Sequence, residues 1–77
     1  MSKKIGIARP SKGTVVKWIP SVADGYGFIK PDGEAHDIYL QAYDVKSGKI
    51  VEGARVEFWR TPSKIRGRYH AANVRVL

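Results

Sequence analysis

Asp24-Gly25-Tyr26-Gly27-Phe28-Ile29 is the stretch that decides how this chain folds. In a β-strand, successive side chains point to opposite faces, so Tyr26 and Phe28 share one face and the glycines lie on the other. Glycine weakens a strand and gives it nothing to pack; it is useful where a flat partner lies close to the backbone. A strand over Tyr26–Lys30 is therefore predicted to carry two rings on one side. Pro31-Asp32-Gly33 follows as a strong turn signal. Beyond it, Asp37–Ala42 alternates Ile38 and Leu40 against Tyr39 and Gln41, which predicts another strand.

The rest of the chain repeats this grammar. Thr14–Ile19 is rich in β-branched residues and includes Trp18, so it reads as a strand. Arg55–Arg60 places Val56 and Phe58 on one face, and Tyr69–Val76 places Ala72, Val74 and Val76 on one face. Pro20–Asp24 and the basic segment Thr61–Gly67 are loops. The connection Tyr43–Gly53 has weak periodicity and room for a single helical turn. Residues 1–12 form a basic arm interrupted by Gly6 and Pro10; residues 13–77 form the folded domain. Five short strands in so small a chain fit an all-β fold, a five-stranded antiparallel barrel of OB type or SH3 type, because closure removes exposed sheet edges. Val15, Ile29, Ile38, Leu40, Val56, Phe58, Ala72, Val74 and Val76 supply its expected core. Turning Tyr26, Phe28 and Tyr39 inward would force Ile29, Ile38 and Leu40 outward.

Composition narrows the function. At 77 residues the chain holds one small domain with a thin core. It has no cysteine, which removes disulfides, thiolate nucleophiles and cysteine-based metal sites. Its two histidines are far apart in sequence, so no metal site or cofactor is expected. No apolar run is long enough to span a bilayer, and no apolar segment follows Lys3-Lys4, so the expectation is a cytoplasmic protein without a signal peptide. Asp32 and Glu34 flank a turn rather than a pocket, and no nucleophile–base pair is recognisable, so an enzyme is not expected. The net charge is +7, divided as +5 over residues 1–19, −3 over 20–52 and +5 over 53–77. A folded domain that brings its basic ends together presents a field suited to a polyanion.

Rings and cations together suggest single-stranded nucleic acid. Two rings on one strand face can each take a base. Antiparallel pairing of the neighbouring strand sets Tyr39 beside Tyr26 or Phe28, with Gln41 projecting on the same side. Trp18 and Lys17 on the first strand would extend this platform.

Several blocks resemble the cold-shock domain family. Gly25-Tyr26-Gly27-Phe28-Ile29 is similar to its first ribonucleoprotein motif, and Asp37-Ile38-Tyr39-Leu40-Gln41-Ala42 to its second. Val16-Lys17-Trp18 is similar to its opening, Gly53 with Val56 and Phe58 to its fourth strand, and Ala71-Ala72-Asn73-Val74 to its closing segment. The resemblance runs from about Gly13 to Leu77 in the family's order. It implies an OB-type barrel that binds single-stranded RNA or DNA and acts as an RNA chaperone or antiterminator. The family's contact positions fall on Lys17, Trp18, Tyr26, Phe28, Tyr39 and Gln41, and its basic last loop on Lys64, Arg66 and Arg68. His70 replaces a family glutamine near the rim.

This chain departs from the pattern at Ile19, Asp24, Gln41 and Ala42, where the family carries Phe, Lys, His and Phe. Two rings and one cation are thereby missing; Tyr43, Trp59 and the basic arm are candidates to compensate. Trp59 is out of phase with Val56 and Phe58 and is expected to face outward or to cap a barrel end. The expected molecule is a monomer that intercepts unstacked bases on rings while Lys and Arg neutralise phosphates. The alternative is an interaction module that docks a protein or peptide through the same aromatic face.

Overall fold

The structure is a computed structural model that describes residues 9–21, 24–63 and 67–77. Lys64 and Arg66, and residues 1–8 of the basic arm, lie outside the described residues. The elements are β1 (Ser11–Ile19), β2 (Tyr26–Pro31), β3 (Ile38–Gln41), a 3-10 turn (Ala42–Asp44), β4 (Val45–Ser47), β5 (Arg55–Pro62) and β6 (Tyr69–Val76). The fold is the closed all-β barrel expected from the strand pattern, and it is of the OB type that the resemblance implies. Its strand order is β3-β2-β1-β5-β6-β4, and a β3–β6 pairing closes the sheet on itself.

Two details differ from the five-stranded antiparallel expectation. The closing β3–β6 pairing is parallel, with Tyr39 opposite His70. The three-residue β4 is an added strand, also parallel to β6, inside the connection whose periodicity in sequence is weak. Ser11 and Lys12, expected in the arm, are the first residues of β1 and pair with Phe58 and Glu57.

The core consists of Val15, Ile29, Ile38, Leu40, Ile50, Val56, Phe58, Ala71 and Val74. Ile29, Leu40, Val56, Phe58 and Val74 have no solvent exposure. At roughly 1.5–3 kcal/mol per buried side chain of this kind, their burial is the main drive for closure. The expectation for β6 needs correction. Ala71, not Ala72, is buried, while Ala72 and Val76 are only partly so. Asn73 adopts φ 50°, the left-handed region that asparagine tolerates better than most residues. Between the pairs Glu57–Arg75 and Trp59–Ala72, β6 uses one residue more than β5. This β-bulge reverses which alternate residues face inward.

A second bulge lies in β1. Val15 pairs with Ile29, but Lys17 pairs with Phe28, so Val16 is the extra residue. Lower in the same strand, Gly13 lets β1 and β2 close tightly. A Cβ there would stand 2.5 Å from the Lys30 carbonyl oxygen and 2.7 Å from the Ile29 side chain.

Candidate functional site

The two bulges build the site. Directly paired residues on neighbouring strands share a face. The register joins Lys17 to Phe28 across β1 and β2, Phe28 to Tyr39 across β2 and β3, Tyr39 to His70 across β3 and β6, and His70 to Thr61 across β6 and β5. This row lies on the outside of the barrel. Lys17 and Tyr39 are exposed, and Phe28 and His70 are half-buried. Without the Val16 bulge, Lys17 would face inward with Val15. Without the Asn73 bulge, His70 would face inward with Val74. Each irregularity turns one member of the row outward, the Lys17 cation at its start and the His70 imidazole beyond Tyr39.

Tyr26 stands beside the row, paired with Gln41 on one side and Ile19 on the other. The Tyr39 ring centroid lies 6.1 Å from that of Tyr26, tilted by 39°, and 5.8 Å from that of Phe28, nearly edge-on at 60°. These are ordinary aromatic contact distances. The sequence left open which of the two rings Tyr39 meets; it meets both. The expected placement of Tyr26, Phe28 and Tyr39 outside, with Ile29, Ile38 and Leu40 inside, holds throughout.

Trp18 is a correction. It pairs with Gly27 and packs, partly buried, against the core cluster. An added Cβ on Gly25 would lie 2.4 Å from the Trp18 ring, and one on Gly27 would lie 3.0 Å from it. The flat partner that those glycines admit is therefore this chain's own indole. Trp18 covers the glycine face of β2 and does not extend the ring row, because the Val16 bulge has reversed its direction.

The other candidates distribute around the row. Gln41 is half-buried beside Tyr26, and Trp59, half-buried on β5, pairs with Ala72. Both project on the outer side. Tyr43 is 70% exposed on the 3-10 turn past β3 and stands apart from the row. Arg68 is exposed just before β6, where its carbonyl accepts a bond from the Ser63 amide at 2.9 Å.

A cleft of about 780 Å³ opens from Phe28 and Tyr39 toward the barrel end, with Arg60, Arg68, His36 and Tyr69 among its walls. The Arg60–Glu34 ion pair lines this cleft, a second pair, Arg55–Asp32, lies outside its walls, and sequence reading missed both. Arg60 grips both carboxylate oxygens of Glu34, donates to the Ser11 hydroxyl at 3.3 Å and sits over the Phe58 ring at 5.8 Å. Arg55 donates to both oxygens of Asp32, each at 2.7 Å, and to the Thr14 hydroxyl. The arginine hydrogen bonds, reinforced by charge attraction and opposed by desolvation, hold the Asp32 and Glu34 carboxyls below their ordinary range. The acidic middle of the sequence thus folds onto basic β5 and offsets part of its charge. Only pairing across 23 and 26 residues reveals this, and local pattern carries no signal of it.

No protein-family model matches this sequence, and no curated protein is significantly similar to it. Among the described residues, no helix is long and apolar enough to cross a membrane, and no three metal-ligating side chains cluster.

Proposed function

We propose that this protein binds single-stranded nucleic acid, RNA or DNA, on the outer ring cluster, and that it acts as an RNA chaperone in the manner its resemblance to cold-shock domains implies. The observation that carries the proposal is the grouping of Tyr26, Phe28 and Tyr39 on the solvent side of β2 and β3, with Lys17 beside Phe28. Rings held against one another by a sheet offer faces to unstacked bases at little ordering cost. Each stacked base contributes about 1–3 kcal/mol. Mechanism is passive: bases settle on rings, Lys17 and the exposed arginines neutralise phosphates, and the occupied strand cannot re-pair. Sequence preference comes from stacking rather than from a pocket for the 2′-hydroxyl, so RNA and DNA are discriminated weakly.

The test is a fluorescence-anisotropy titration with a short pyrimidine-rich strand. Phe28→Ala is expected to weaken binding by about 1–3 kcal/mol, roughly 5- to 150-fold, with circular dichroism unchanged. Unaltered affinity in a folded variant would refute the ring platform. An affinity insensitive to salt would instead indicate an apolar face for a protein or peptide, because strand binding weakens as salt rises.

A further inference from the structure

A second set of outward side chains has no ring in it. The register places Lys30, Thr14 and Arg55 in one row across β2, β1 and β5. It places Lys12, Glu57 and Arg75 in the next row, across β1, β5 and β6. All six point away from the core, since Gly13, Val15, Val56 and Val74 occupy the inward positions. The strip crosses four strands, a span of about 14 Å at the usual strand spacing. Four cations stand on it against Glu57 and the neighbouring Asp32.

The acids do not cancel the cations evenly. Arg55 is committed to Asp32, and the Lys30 ammonium donates to the Glu34 carbonyl at 2.7 Å. Lys12 and Arg75 flank Glu57 on either side, yet among the described residues neither side chain closes an ion pair or a hydrogen bond, and Lys12 acts on Asp32 through charge alone. Two cations are therefore free to take phosphate oxygens. The strip is also continuous with the ring site: Lys30 is two residues from Phe28 on the same face of β2.

We propose that this strip is a second binding site, for the sugar–phosphate backbone of a strand that continues past the rings across β1 toward β6. It contacts phosphate and not base, because no ring or base-reading pocket lies along it. The direction of the strand rests on the ring site proposed above; the strip's affinity for phosphate does not.

Abasic probes separate the two. About six thymidines are compared with the same segment extended at its 5′ or 3′ end by abasic deoxyribose phosphates, which cannot stack. The extended probe is expected to bind tighter from one end. Two neutralised phosphates steepen the logarithmic salt dependence by about 1.4, so the gain changes roughly sevenfold over a fourfold change in salt. Lys12→Gln with Arg75→Gln is expected to abolish the gain and to leave the unextended probe unaffected; either single variant, each expected to halve the salt term, serves if the pair does not fold. A gain that survives in the double variant or stays undiminished in a single one, or no gain at either end, overturns the proposal. A wholly abasic strand binds weakly and loses that binding in the double variant even if Phe28→Ala shows the rings to be idle.

Discussion

Replacing Gly27 by alanine tests how the two strands under the site are held together. A Cβ built on Gly27 lies 2.0 Å from the Lys17 carbonyl oxygen, 2.9 Å from its carbonyl carbon and 3.0 Å from the Trp18 ring. Two of those atoms are backbone of the paired strand and cannot rotate aside, so β1 and β2 must part or Trp18 must leave. Overpacking of this kind costs about 1–3 kcal/mol, and a backbone obstacle argues for the upper end. Alanine also restricts the unfolded chain, which alone would stabilise by about 0.4–1 kcal/mol. The net expectation is a loss of about 2 kcal/mol, or a fall in Tm of roughly 8–16 °C for a domain of this size. Gly33→Ala is the control: its Cβ meets nothing within 4 Å, and only its φ of +76° is unfavourable. That substitution costs about 1–2 kcal/mol at most and leaves Trp18 emission unchanged. Thermal melts by circular dichroism, read beside Trp fluorescence, decide the matter. A Gly27→Ala protein that melts higher than the parent, or that loses less than Gly33→Ala, would refute the close approach of β1 and β2.

Lys17→Ala is expected to flatten the logarithmic salt dependence of strand binding by about 0.7 with little change in Tm; an unchanged slope removes Lys17 from the interface. In Trp59→Phe, where Trp18 is the sole indole, emission is expected to shift on unfolding but to change little when a strand binds; strong quenching would return Trp18 to the platform. Asp32 and Glu34 have lowered pKa values when folded, so the stability they contribute is complete above their ordinary values of 3.8 and 4.5 and disappears as pH falls below them. Melts taken from neutral pH down to about pH 2 are expected to show less of this acid loss in Asp32→Asn with Glu34→Gln. The arginine partners, whose pKa values are raised by the same hydrogen bonds, add no dependence in that range.

Alternation made the inside and outside of β2 and β3 legible, because Ile29, Ile38 and Leu40 compete with the rings for the same interior and only one set can win. It failed at Trp18 and at Ala71 for a single reason. A bulge adds one residue and reverses parity, and nothing around Val16 or Asn73 announces where the extra residue falls. The same shifts carried Lys17 and His70 into the outer row, where the family resemblance had put both but strict alternation would not have. Glycines at 25 and 27 signalled a flat neighbour correctly; that the neighbour is Trp18 depends on strand register.

The barrel's seam runs between Tyr39 and His70, residues from the middle and the end of the chain that meet through the parallel pairing. A ligand draped over both would act as a clasp on the cylinder, fastening β3 to β6 without touching the interior. Occupancy of the outer face would then be felt as resistance to unrolling, visible as slower amide exchange along β3 and β6.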